Sequence, residues 1–272
     1  MIRESWSLTV RELKHWYRVK IQVFMTLLQP IVWLGLFGQA FNIGSLVPAP
    51  LVPQFFSGAP DYFSFMALGM LAVNALFTCM FSGMSIVWDR RFGFLNKLKV
   101  APIPRGAIPL SRIMATVIRS LIQVSIVLAI ALAFQYVPGL TGLSLKAGFS
   151  MMDLMGMFFV LFLLSVAFAS LFTSIALAVE NQETLFGVIN LLNLPLMFAS
   201  AALFPTAMMP DWLRSVADYN PLTWAADALR QFAFVNTAPI HDLAFDIIGL
   251  AVIAAILAGV SVLVSRKLLS NR

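Results

Sequence analysis

WDRRFGFLNKLKVAPIPRGAIPLSR, residues 88–112, decides how this chain is read. It is a polar, basic island between two long apolar runs. Its cations are Arg90, Arg91, Lys97, Lys99, Arg105 and Arg112, against a single acid, Asp89. Phe92, Phe94, Leu95 and Leu98 are interleaved with those charges. Phe94 and Leu98 stand at i, i+4 and Leu95 and Leu98 at i, i+3, so a short helix gathers them on one face. Pro102 and Pro104 then stop that helix. A solvated loop that only fixes topology accounts for the lysines and arginines. It does not account for an apolar stripe with a rigid Pro-x-Pro exit. Such a helix wants a partner surface, either lipid headgroups or another protein.

The flanks of the island set the class. The chain has 272 residues, is 60% hydrophobic and is only 11% charged, with a mean hydropathy of +0.90. Soluble domains carry about 25% charged residues, so this is an integral membrane protein. The net charge of +6 lies on polar connections. It reports orientation and lipid contact, and nucleic acid is not an expected partner. The one cysteine, Cys79, excludes a disulfide within the chain. The first twenty residues carry Arg3, Arg11, Lys14, Arg18 and Lys20 and lack an apolar core, so the first apolar run is expected to serve as the membrane signal and to be retained.

Six apolar runs near or above the ~20 residues that cross ~30 Å of hydrocarbon fall at 22–42, 62–87, 111–136, 153–179, 184–204 and 243–265. Cations distribute unevenly between them. The N-terminal segment, the island and the tail (Arg266, Lys267, Arg272) hold fourteen, whereas the other side holds Lys146, Arg214 and Arg230, with Arg119 inside a run. Both termini and the island are therefore expected in the cytoplasm. An even number of spans satisfies both termini at once.

Two flanking segments are amphipathic. In residues 4–20, Trp6, Val10, Leu13 and Tyr17 recur on one helical face while Arg11, Lys14 and Arg18 fall on another, the pattern of a helix lying on a membrane. The connection 205–242 opens a helix at Met209-Pro210-Asp211, with Trp212 on it. A second helix starts at Asn220-Pro221, a good cap followed by a proline suited to the first turn. This second helix carries Trp224, with Asp227 and Arg230 at i, i+3. The pair of helices either lies on the outer surface or dips in and returns; a returning pair must be covered by protein or water.

Chemical motifs are absent. No G-x-x-x-x-G-K-[ST], H-E-x-x-H or G-x-S-x-G occurs. The two histidines, His15 and His241, are far apart in sequence, and no metal-ligand cluster or carboxylate dyad is read from spacing. Neutral polar residues inside the runs, among them Asn74, Thr78, Gln123, Ser165, Asn190 and Asn193, either bond between helices at about 1 kcal/mol each or line a pathway. Arg119, seven residues beyond Arg112 on the same helical face, either snorkels to headgroups or faces the bundle near Gln123. Pro195 is expected to kink the fifth run.

Two signatures carry a family resemblance. Asp89-Arg90-Arg91-Phe92-Gly93-Phe94-Leu95 through Val100-Ala101-Pro102-Ile103-Pro104-Arg105 is one. Leu203-Phe204-Pro205, Pro210-Asp211-Trp212-Leu213 and Asn220-Pro221-Leu222-Thr223, followed by Asp227-Ala228-Leu229-Arg230, is the other. Together, in this order around six runs, they resemble the permease subunit of ABC-2-type transporters, in the daunorubicin-resistance-like branch of drug exporters, over nearly the whole chain. The family often has an acid at the place of Arg91, Thr at Phe94 and Glu at Asn96, so this segment is more basic than its relatives.

The resemblance implies an all-α membrane domain over 1–272 with six transmembrane helices, an interfacial helix within 1–21, a cytoplasmic coupling segment at 88–110 and extracytoplasmic helices in 205–242. It implies a multi-pass subunit of the inner or plasma membrane that exports a hydrophobic drug, lipid or glycan-like substrate. The partners it implies are a second permease copy, identical or paralogous, membrane lipids, and a separate P-loop ATPase that holds ATP and Mg; this chain would carry no cofactor, metal or catalytic residue. The ATPase would meet Asp89, Arg90, Arg91, Phe92, Gly93, Phe94, Leu95, Lys97, Leu98, Pro102 and Arg105, with Trp6, Arg11, Leu13, Lys14, Tyr17 and Arg18 on the interfacial helix. Asn74, Arg119, Gln123, Asn190 and Asn193 are pathway candidates. Pro205, Trp212, Asn220, Pro221, Trp224, Asp227 and Arg230 mark the outer helices. The alternative from another class is a membrane scaffold or channel-like protein without a motor.

Overall fold

The computed structural model describes residues 2–40, 52–91, 106–179, 181–235 and 239–270. Every regular element among them is helical. Helix α1 is Ile2–Arg18. Helix α2, Lys20–Val32, runs on through a π-helical turn, Trp33–Phe37, to Ala40. Pro30 removes one N–H from its ladder, and the wider turn follows directly. Then come α3, Tyr62–Arg91; α4, Ala107–Ala133; α5, Met151–Ala178; and α6, Gln182–Phe198. The short α7, Asp211–Asp218, and α8, Pro221–Ala233, precede α9, Leu243–Ser270.

Several starts are chemically marked. Asp61 Oδ1 accepts from the Ser64 N–H at 2.7 Å and caps α3. Burial pushes the Asp61 carboxyl up, against the pull of its bonds to Ser64. Ser150 and Asp153 form a reciprocal capping box on α5. Asn220 caps α8 with Pro221 in its first turn, as the sequence predicts.

Among the described residues, four helices are long and apolar enough to cross a membrane: Tyr62–Asp89, Ala107–Tyr136, Met151–Ala178 and Leu243–Lys267. Leu27–Ala40 is a shorter apolar helix, and α6 has 17 residues. The fifth apolar run therefore ends as helix at Phe198 rather than at residue 204. Its last residues leave the helix because α8 takes up their carbonyls, as described below.

The core sits on α3, whose apolar window is wholly buried, with α4, α5 and α8 packed around it. Gly69 marks its closest approach: a Cβ there would stand 1.7 Å from the Ala202 carbonyl oxygen. The helices run between two ends. One is basic and carries α1, Asp89 and Arg112. The opposite end gathers Gln39, which bonds Thr141, Tyr62, which bonds the Leu203 carbonyl, and Lys146, whose N–H bonds the Ala233 carbonyl.

Candidate functional site

At the basic end, α1 docks on α4 through Ser5, Thr9, Glu12 and Trp16, all buried. Thr9 Oγ1 donates to the Ser111 carbonyl at 3.2 Å. Glu12 is the centre of the contact. Arg112 Nη1 donates to Glu12 Oε2 at 2.6 Å and to Ser85 Oγ at 2.8 Å. Arg112 Nη2 pairs with Asp89 on α3. Arg119 Nη2 reaches the Glu12 carbonyl oxygen at 3.1 Å and its carboxylate at 3.4 Å. Two buried guanidiniums thus face two carboxylates, and α1, α3 and α4 are joined by one ionic knot. A cavity of about 70 Å³ lies beside it, lined by Glu12, Trp16, Met84, Ser85, Trp88 and Arg119 among others.

This arrangement gives α1 a protein-facing side that the sequence did not single out, and it decides between the two readings of Arg119. The stripe of Trp6, Val10, Leu13 and Tyr17 is not the face that meets the protein: Trp6 and Tyr17 are exposed, as are Arg11, Lys14 and Arg18. In a membrane, an apolar face is content against lipid, and it is the polar face that needs protein partners. Arg119 does not snorkel. It is buried and bonded to Glu12, a residue that sequence reasoning did not single out.

Of the segment expected to meet an ATPase, Asp89 lies in the knot, and Arg90 and Arg91 complete α3. Phe92, Gly93, Phe94, Leu95, Lys97, Leu98, Pro102 and Arg105 lie outside the described residues. The segment is thus rooted at Asp89 on one side and at α4 on the other.

A ladder of polar pairs continues from the knot between the antiparallel α3 and α4. Ser82 bonds Thr116, and Thr78 donates to Gln123 Oε1. Ser120 bonds Ser165 of α5 at 2.8 Å. These bonds are interhelical glue of the kind the sequence allowed. Asn74 is buried beyond the ladder, and neither its Oδ1 nor its Nδ2 has a partner. On α6, Asn193 is buried and Asn190 exposed.

At the opposite end, α8 is enclosed by α3, α5 and α9, and nearly every residue of it is buried. Its polar groups hold the irregular backbone after α6. Asn220 Nδ2 donates to the carbonyls of Leu196 and Ala199 at 2.9 and 2.6 Å. Thr223 Oγ1 accepts from the Ala201 N–H at 3.0 Å. Arg230, fully buried, donates to the carbonyls of Ala201, Ala202 and Phe65 at 2.9, 3.0 and 3.1 Å, with its guanidinium 3.6 Å above the Phe65 ring. Non-helical backbone at depth is thereby satisfied by side chains. Pro205 begins the connection, and Trp212 on α7 is exposed. Trp224 is not an outward anchor. It is buried edge-on to Phe245, and its Nε1 donates to the Asp218 carbonyl at 2.7 Å.

Asp227 and Arg230 each bond backbone rather than one another. Asp227 Oδ2 accepts from the N–H groups of Ile240 and His241 at 2.9 and 3.1 Å. Asp227, His241 and Asp246 come together, with one ligand atom of each within 4.8 Å of the others. The absence of a metal-ligand cluster or paired acids, expected from sequence spacing, is corrected here: the fold-back between α8 and α9 closes a gap that spacing does not reveal. Asp246, an acid in the first turn of an apolar helix, was the available signal.

The model of the ABC-2 type transporter family matches residues 3–234. This chain belongs to the ABC-2 type transporter family. The permease is 32% identical to the ycf38 transport permease of Cyanophora paradoxa over 84% of this chain and 73% of the relative. It is 26% identical to a doxorubicin resistance ABC transporter permease protein, DrrC, of Mycobacterium tuberculosis, over 91% of this chain and 84% of the relative. It is 21% identical to the daunorubicin resistance ABC transporter permease protein DrrB1 of Streptomyces coeruleorubidus, over 88% and 77%. The permease is a multi-pass membrane protein and the transmembrane, non-catalytic type of subunit in an ABC transporter.

Proposed function

We propose that this permease crosses the membrane six times with both termini in the cytoplasm and works as one of two permease copies. It couples ATP hydrolysis on a separate P-loop ATPase to export of a hydrophobic drug, lipid or glycan-like substrate. The alternation of α2, α3, α4, α5, α6 and α9 between the two ends supports the six crossings. The drug-resistance names of two relatives support the cargo class.

The observation that carries the coupling is the ionic knot. It ties α1 and both roots of the 88–110 segment to α3 and α4. An ATPase that pushes on α1 and on that segment therefore pushes on the centre of the bundle, and rigid-body rocking of spans follows. Phe94, Leu95 and Leu98 act as buried anchors, with Arg90, Arg91 and Lys97 at the rim. Anchors carry most docking energy, and rim charges tune encounter and orientation.

The test is co-purification with a candidate P-loop ATPase, followed by substrate-stimulated ATP hydrolysis. Leu95→Ala with Leu98→Ala should weaken assembly more than Lys97→Ala with Lys99→Ala, each anchor being worth about 1–3 kcal/mol when buried. A double-leucine variant that assembles and couples like the parent refutes the assignment.

A further inference from the structure

We propose that Asp227, His241 and Asp246 form a binding site for a first-row divalent cation of the Zn²⁺ type, which clamps α8 to the start of α9. The donor groups are already gathered, with one ligand atom of each within 4.8 Å of the others. Asp227 and Asp246 are fully buried, and their Oδ1 atoms have no hydrogen-bond partner. The Nδ1 of His241 has none either. His241 Nδ1 and Asp246 Oδ1 stand 3.6 Å apart. Two ligands at about 2.0–2.2 Å from one tetrahedral ion are separated by about 3.3–3.6 Å, so this pair needs no rearrangement. The third donor, a carboxylate oxygen of Asp227, lies within 4.8 Å of the other two residues' ligand atoms.

The remaining lone pairs are held away from the centre. Asp227 Oδ2 accepts from two backbone N–H groups and from Gln231 Nε2 at 3.3 Å. The same Gln231 Nε2 donates to Asp246 Oδ2 at 3.2 Å. Gln231 therefore grips the outer oxygen of both carboxylates and turns their inner oxygens toward the histidine, the orienting role that outer partners play around metal ligands. The Phe245 ring stacks on the imidazole at 4.6 Å and fixes its plane.

Charge points the same way. Asp227 and Asp246 place two carboxylates in a buried space, with Asp242 adjoining. The neighbouring cation, Arg230, directs its donors at the carbonyls of Phe65, Ala201 and Ala202. Buried like charges need a counter-charge or a proton. An imidazole beside carboxylates favours zinc or cobalt over magnesium or calcium, which prefer all-oxygen shells. Three protein ligands leave a fourth position for water.

The experiment uses the full-length permease purified without a polyhistidine tag, stripped with chelator and titrated with Zn²⁺, and separately with Co²⁺. The parent should retain about one Zn²⁺ per chain. It should also show visible Co²⁺ absorption of a four- or five-coordinate site and a Tm that rises with zinc. His241→Ala, at a partly exposed residue, and Asp246→Asn should each weaken zinc binding by at least about 100-fold, the upper end of what even an outer partner contributes, and should lose the zinc-dependent Tm rise. Zinc binding by His241→Ala equal to the parent overturns the proposal, as does a parent that takes up no zinc at micromolar concentration. A Tm that follows pH but not zinc also overturns it, and assigns the cluster to a proton shared between the two aspartates.

Discussion

Replacing Glu12 by Gln keeps the shape of the α1–α4 contact and removes its charge. The buried partners are Arg112 and Arg119, whose side chains are 7% and 8% exposed, against 8% for Glu12 itself, while the more exposed Arg11 reaches the other carboxylate oxygen at 3.4 Å. Arg112 retains Asp89 and Ser85, so most of the penalty falls on Arg119, which keeps only the Glu12 carbonyl. Stripping one partner from a buried pair costs about 3–5 kcal/mol. The retained bonds place this case near the lower bound. The docked state of α1 should then weaken by about 3 kcal/mol, which is roughly 150-fold in the opening equilibrium at 1.4 kcal/mol per decade. The assay is maleimide labelling of Thr9→Cys in a Cys79→Ala background, because Thr9 is fully buried on the face of α1 that packs against α4. Labelling should accelerate by about two decades with Glu12→Gln, by the same conversion. Adding Arg119→Met restores the balance of charge. The two changes in contact should then couple by about 1 kcal/mol or more. Labelling of Glu12→Gln within twofold of the parent would refute the reasoning, since the knot would then not hold the helix.

Three further outcomes follow. Arg230→Lys loses the planar fork that reaches three carbonyls and stacks on Phe65; it should destabilise the permease by about 3 kcal/mol, read as a lower Tm in detergent, and an unchanged Tm would show that the carbonyls have other donors. Gly69→Ala forces α3 away from the 201–203 segment, because the added carbon meets the Ala202 carbonyl; overpacking of this kind costs about 1–3 kcal/mol or more, whereas Gly187→Ala, in open space, should be neutral in the same melt. Single cysteines at Lys146 and Lys97, again with Cys79→Ala, should react with an impermeant reagent from opposite sides of the membrane; same-side reaction would remove the six-span topology.

The sequence disclosed what depends on long runs and on local chemistry. Membrane class followed from composition, the long helices α3, α4, α5 and α9 from apolar runs, and α7 and α8 from Pro210-Asp211 and Asn220-Pro221. It did not disclose which face of a helix meets protein. The aromatic stripe of α1 is conspicuous because it suits lipid, whereas Ser5, Thr9 and Glu12, the face that packs, look like ordinary solvated positions. Nor did it disclose pairings across long gaps. Glu12 and Arg112 are 100 residues apart, and Asp227 meets Asp246 only because the chain reverses between α8 and α9. The early end of α6 was hidden for a related reason: residues 199–204 remain apolar, and only the donors of Asn220 and Arg230 take their backbone out of the helix.

These contacts give α3 a specific mechanical position. Near one end it carries Asp89, bonded to Arg112 and through it to Glu12. Near the other it carries Phe65, whose carbonyl and ring both hold Arg230 of α8. The 24 residue steps from Phe65 to Asp89 span about 36 Å at 1.5 Å per residue, about the thickness of the hydrocarbon layer and its margin. No proline interrupts α3, and its apolar window is buried throughout, features that suit a rigid rod. The soft positions lie elsewhere, at Pro30 with its π-helical turn in α2 and at Pro195 in α6. On the proposed mechanism, a push on α1 and on the 88–110 segment reaches the α8 anchor through α3, while α2 and α6 bend. Stiffening α6 with Pro195→Ala should therefore slow transport without loosening α1, whereas Glu12→Gln should loosen α1 and uncouple transport together. If Pro195→Ala instead accelerates Thr9→Cys labelling, bending is not confined to the flanks and the rod picture fails.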